Sequence, residues 1–295
     1  MDSDILWHGH TPAIVDIAIR YAVDCPYLID ELLAFAAIHL ARVKPETAST
    51  WRHHATELQT RAVAYFSKDA ENPNPESNVT YNVPRFLFAT MLSLHVLAET
   101  LEYYRSDLDV FIDRYIECVQ LHKGIRTVIT PSWPDLLESE LKPLLFVVTS
   151  QRPQDPSLGD ECAPLHALID ACAPGSYLAA LDAEGAAARA GCHEAVRMLQ
   201  WAFDLSTRLP QPGLPHGVSG FSIMIPAEFT DVLRRHVPEA LVVMAYFGVL
   251  LHRTRRYWVC GNNGAFVIRA IADRLGPQWE DAMRWPLRVL VEEHD

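Results

Sequence analysis

His95 and Glu99 stand four residues apart in RFLFATMLSLHVLAETLEYY, so on a helix they share one face. An imidazole set in an apolar run beside a carboxylate is a candidate acid–base pair, because burial and a carboxylate neighbour together tune a histidine. The same spacing equally suits a core histidine held by a carboxylate or a backbone carbonyl. His39 also falls on an apolar helical face and is expected to be structural. His8 with His10, and His53 with His54, are the densest histidine groups. His8 and His10 lie near the terminus, and His53 and His54 adjoin on a helix and face different ways, so no metal site is expected from either pair. The six cysteines, Cys25, Cys118, Cys162, Cys172, Cys192 and Cys260, show no C-x-x-C spacing. They carry no zinc or redox motif and fit free thiols in a reducing compartment, the cytoplasm or the nucleus. Neither a phosphate-cradling glycine loop, nor a G-x-S-x-G elbow, nor H-E-x-x-H is present, and no cofactor is expected.

A second concentration has binding rather than reactive character. Phe221, Met224, Phe229, Met244, Phe247, Tyr257, Trp258 and Phe266 cluster near the carboxyl end, with Gly261 and Gly264 among them. Methionine and aromatic side chains fill irregular gaps in a core, and they also line adaptable apolar pockets. Both readings stand on sequence alone.

These residues are positioned by helices. Periodicity gives helix after helix and almost no strand alternation, which predicts an all-α, single-domain bundle of about ten to twelve helices over residues 1–295. The organising element is Pro238 onward. From Ala240 to Leu251 there is no charged residue, and a helix apolar on every side must be surrounded. About a dozen residues at helical rise span roughly 18 Å, too short for a bilayer core of about 30 Å. It is therefore expected to be a buried helix that ends near His252–Arg256, with no membrane span. Upstream, helices are predicted over about 13–23, over a second stretch with Leu28, Leu32, Phe35, Ala36, His39 and Leu40 on one face that Lys44-Pro45 ends, and over 48–68 with Trp51, Ala55, Leu58, Ala62 and Tyr65 inward. A loop is predicted over 69–82, a helix from Pro84, and further helices over 110–128, 135–149 and 162–172. The segment 150–159 reads as a linker. A helix over 177–209 has candidate breaks at Gly185 and Gly191. The Pro- and Gly-rich segment 209–226 reads as a non-helical loop with buried apolar residues.

The net charge is −12 and the isoelectric point about 5.5, which opposes a nucleic-acid surface. The tightest basic cluster, Arg253, Arg255 and Arg256, suits the negative end of the preceding helix. No nucleic-acid contact is expected from these residues.

The order of several segments resembles a known family. They are LLAFAAIHLARVKPE (Leu32–Glu46), RHHATELQTRAVAYF (Arg52–Phe66), the apolar helix Phe86–Ala98, LHKGIRTVI (Leu121–Ile129) and the long closing stretch Pro238–Pro286. Together they resemble the C-terminal regulatory domain of fungal zinc-cluster transcription factors of the sterol uptake control type. The resemblance implies an all-α domain that holds a sterol or similar hydrophobic molecule and so controls transcription. Its pocket would draw on Ala240–Leu251, Tyr257, Trp258 and the loop from Gly261 to Gly264. The family's second tryptophan in that loop is replaced here by Asn262 and Asn263, which points to a more polar ligand. The family's DNA-binding module lies upstream, with six closely spaced cysteines. Met1 falls about where the regulatory domain begins. Two origins stay open: a regulatory piece of a longer protein, or a protein that does not bind DNA. Two functions follow. One is a ligand sensor without chemistry, with a paired surface for a homodimer. The other is a stand-alone enzyme that isomerises or cyclises a hydrophobic terpenoid or polyketide, with His95 and Glu99 as its acid–base group.

Overall fold

The helix that starts at Pro238 is enclosed as its composition demands. In the computed structural model every residue from Glu239 to His252 is buried. Pro238 opens the helix where no donor is lost. Glu239 follows and bonds its own backbone N–H, which offsets part of the burial that raises its proton affinity. The structure describes residues 10–71, 79–105, 107–143, 145, 157–171, 177–180, 182–208 and 216–293. His8, Cys172 and the segments 72–78, 146–156 and 209–215 lie outside the described residues.

Among the described residues there are thirteen α-helices and no strand. The helices are α1 (His10–Ala22), α2 (Pro26–Val43), α3 (Ala48–Glu71), α4 (Val79–Tyr103), α5 (Leu108–Ile129), α6 (Trp133–Leu137) and α7 (Ala163–Asp170). They continue with α8 (Ala183–Arg208), α9 (His216–Met224), α10 (Ala227–Arg234), α11 (Pro238–Arg253), α12 (Asn263–Leu275) and α13 (Glu280–Glu292). Contacts divide the chain into two compact units, Met1–Glu99 with Leu121–Ser150, and Thr100–Gln120 with Gln151–Asp295.

In the first unit α2 and α3 form a closely packed pair. Short side chains at Ala34, Ala37 and Ala41 on α2 and Ala55 and Ala62 on α3 are buried. Around Tyr27 the rings of Phe66 and Phe88 gather, with Phe66 stacked on Phe88 at 4.5 Å. The fourth helix begins at Val79, five residues before the expected start, and carries Pro84 inside it. Proline forfeits one intrahelical bond there. Side chains on that first stretch hold the turn in place. Asn82 donates to Asp135 at 2.8 Å and accepts from Ser132. Arg85 pairs with Asp69, and Val83 is fully enclosed. Where a helix is predicted over 135–149, the described residues show the short α6, five residues long, then turns over 138–141 and helical residues again at 142, 143 and 145; 144 and 146–149 lie outside them.

In the second unit α11 packs against α12, α13 and α8. A β-carbon on Gly264 would run into the carbonyl oxygen of Gly248 and the backbone of His252. The two glycines therefore set how closely α11 and α12 approach. The long α8 is unbroken: Gly185 and Gly191 lie inside it. Gly191 is small because Glu228 and Phe229 of α10 come against it. The segment expected to be a non-helical loop contains the nine-residue α9. Of its prolines, Pro210, Pro212 and Pro215 precede the helix and Pro226 follows it, so none removes a bond within it. Packing of Val218 and Phe221 against the unit outweighs the two glycines. Arg253 closes the carboxyl end. It pairs with Glu293 at 2.9 Å and lies over the rings of Phe203 and Trp285. Arg255 donates to the carbonyl of His252, as a cation at a helix end should.

Candidate functional site

A cleft lies between α2 and α3, in the first unit, with a volume of about 520 Å³. Its floor and walls are Leu33, Ala36, Ala37, Leu40, Trp51 and Leu58, and its polar rim is His54, Glu57 and Arg61. The geometry follows from side-chain size. Alanines let the two helices approach, and the larger residues one turn away stand up as walls. Leu33 remains 51% exposed and Trp51 half-buried, although both have apolar surface to hide. The rim is organised. Arg61 holds Asp30 through two bonds of 2.6 Å, and Glu57 lies between His53 and His54. Sequence periodicity placed Trp51 and Leu58 on an inward stripe, which is the correct face but hides the opening between them. An exposed leucine opposite a tryptophan was the signal for it.

His95 has a different first partner from the one its spacing suggests. Its Nδ1 meets Glu31 Oε1 at 2.9 Å, across 64 residues, and both side chains are fully enclosed. Glu99, the i+4 neighbour, stands at 3.8 Å from Nε2 and is 29% exposed. Burial alone would lower the histidine's proton affinity. Glu31 and Glu99 together overcome it and push His95 up to about 9. Burial meanwhile holds the Glu31 carboxyl above its ordinary range. The pair shares a proton inside the core and has no position on the cleft wall. His39 is exposed on α2 and does not face the core. A second enclosed histidine, His122, accepts or donates at the carbonyl of Ser93, 3.2 Å away, and burial lowers its proton affinity.

The carboxyl-terminal residues come together as a packed cluster. Phe221, Phe229, Met244 and Phe247 are fully buried. Phe247 lies 5.0 Å from Phe221 and 5.4 Å from Tyr115, and Phe266 meets Phe111 edge-on at 5.7 Å. Phe111 and Tyr115, spaced i,i+4 on α5, are members that sequence reasoning missed. The Tyr115 hydroxyl is 3.0 Å from Ser222 Oγ, which itself donates to Val218 O. Met224, Tyr257 and Trp258 are half-buried. The rings of Tyr257 and Trp258 are 6.5 Å apart. Gly261 has a positive φ of 44° and turns the chain toward α12, while Gly264 is filled by the close pass of α11.

Cys25, Cys118, Cys162, Cys192 and Cys260 are free thiols. Among the described residues no group of three or more His, Cys, Asp or Glu side chains is disposed to hold a metal ion. Among them, too, no helix is long and apolar enough to cross a membrane. Comparison with protein-family models, curated proteins and solved structures finds no match.

Proposed function

We propose that this chain is a ligand-sensing regulatory domain that takes a hydrophobic small molecule, and that the ligand lies in the α2–α3 cleft. The observation that carries this reading is the cleft's make-up. A largely apolar wall, a few convergent polar groups at one rim and a volume of about 520 Å³ are what a small-molecule site needs. Leu33 and Trp51 keep apolar area in water that a guest would cover, at about 25 cal/mol per Å². His54 and Glu57 at the rim suit a ligand with one hydroxyl or similar polar end. The resemblance to fungal zinc-cluster regulatory domains adds the role, control of transcription by ligand occupancy.

The enzyme reading has less support. It needs titratable groups that converge on a substrate, and the enclosed His95 with Glu31 faces the core instead. Titration with a fluorescent sterol tests the proposal. Leu33→Asp, at an exposed wall position, is expected to weaken binding tenfold or more while leaving the urea midpoint unchanged. Trp258→Ala is expected to lower stability more than affinity. Unchanged affinity in Leu33→Asp, with loss in Trp258→Ala, would place the site beside α11 and overturn the assignment to the cleft.

A further inference from the structure

His166 on α7 and His193 on α8 meet through like atoms. Their Nδ1 nitrogens are 2.8 Å apart, and the ring planes differ by 16° with centres 5.1 Å apart. The two nitrogens therefore lie between the ring centres, edge to edge. Such a contact holds only if one Nδ1 carries a proton and the other offers its lone pair. Behind His193, its Nε2 is 3.0 Å from Asp170 Oδ1, and a carboxylate there requires Nε2–H. A neutral pair satisfies every bond: His166 donates through Nδ1–H, His193 accepts at Nδ1 and donates at Nε2 to Asp170. A proton on every ring nitrogen would set two N–H groups against each other. Burial and the neighbouring His193 both lower the proton affinity of His166, and Asp170 opposes them. Glu194, next to His193 on α8, is engaged by Arg197.

We propose that His166 and His193 form a two-imidazole site for a late transition-metal dication of the zinc, nickel or copper class. The metal takes the place of the shared proton: two N–metal bonds form, the His166 Nδ1–H bond breaks, and its proton passes by way of solvent to His166 Nε2, so the neutral pair stays neutral. Imidazole suits these metals, and bonds of about 2.0–2.1 Å to zinc would require the nitrogens to part by roughly 0.5 Å. Both rings are half-buried rather than sealed, so they can tilt by that amount and water can complete the coordination. Asp170 on the outer nitrogen fixes the His193 tautomer and ring orientation, as carboxylates behind metal-bound histidines do. The site needs only the described helices α7 and α8.

Zinc chloride titrated calorimetrically into the full chain at pH 7.5 and 6.0, in buffers of different ionisation enthalpy, tests the site. One saturable step is expected, with no net proton release from the neutral pair at pH 7.5 and with weaker binding at the lower pH. His193→Ala and His166→Ala are each expected to weaken it tenfold or more, and Asp170→Asn by about tenfold. His53→Ala/His54→Ala controls for surface histidines and should leave it unchanged. Should His193→Ala lower the urea midpoint, His193→Gln, which keeps a polar partner for Asp170, is expected to show the same loss. A step that survives in the His166→Ala/His193→Ala double variant, or no saturable step below millimolar zinc, would show that the pair holds a proton only and overturn the proposal.

Discussion

Replacing His95 by leucine removes one half of an enclosed pair at nearly constant volume, and the cost can be worked from what remains. Glu31 would be left fully enclosed with its nearest partner gone. It must then stay charged without compensation or take a proton on folding. Protonating a carboxyl of ordinary pKa costs about 4 kcal/mol at pH 7 and about 1 kcal/mol at pH 5. That ceiling agrees with the roughly 3–5 kcal/mol lost when one member of a buried pair is removed. Linkage fixes the sign for the wild type. His95 is raised to about 9, so its stabilisation is complete below about pH 6.5 and is lost as pH climbs through about 9. Urea unfolding followed by circular dichroism at pH 5, 6 and 7 should therefore show a gap between wild type and His95→Leu. That gap is expected to widen by about 1 kcal/mol from pH 5 to 6 and by less from pH 6 to 7, where the wild type itself starts to lose the His95 contribution. The double variant Glu31→Leu/His95→Leu is expected within about 1 kcal/mol of wild type, because an apolar pair removes the unpaired charge. A gap below about 1 kcal/mol at pH 7, or one flat from pH 5 to 7, would refute the reasoning. A double variant as unstable as the single one would show that packing, not charge, sets the penalty.

Gly264→Ala is expected to force α11 and α12 apart at the Gly248 crossing and to cost about 1–3 kcal/mol or more, read as a fall in the urea midpoint. Tyr115→Phe removes a hydroxyl that meets Ser222 inside the aromatic cluster and is expected to cost about 1 kcal/mol, with unchanged far-ultraviolet dichroism.

The all-helical class and α11 are legible because they depend on local pattern. An uncharged run of a dozen residues has one outcome, burial, whatever surrounds it. The prolines misled in both directions. Pro84 sits inside α4 because Asn82 and Arg85 anchor the turn before it. The three prolines before α9 do not reach into the helix they appeared to forbid. Partners distant in sequence were not legible. Spacing offered His95 the carboxylate at i+4, and the fold brought it Glu31 from another helix at shorter distance. Gly261 and Gly264 read as points where backbone comes close to a helix or to a ligand, and Gly264 meets the backbone of α11 at Gly248 and His252.

The cleft and the enclosed helix follow from one rule applied to two compositions. On α11 no position from Ala240 to Leu251 is charged, and bulky residues stand among Gly248 and two alanines, so neighbours close in from all sides. On α2 and α3 the short residues share one seam. Ala34, Ala37 and Ala41 draw α3 near, and the chain then has no large side chain to fill the space above Ala36 and Ala37. Leu33, Leu40, Trp51 and Leu58 border that space without covering it. A sequence that needed only a stable pair of helices would gain by filling the gap, since each buried methylene contributes about 0.8 kcal/mol. Under the proposed function, a guest covering Ala36 at the exposed centre would return the burial that the pair of helices forgoes there.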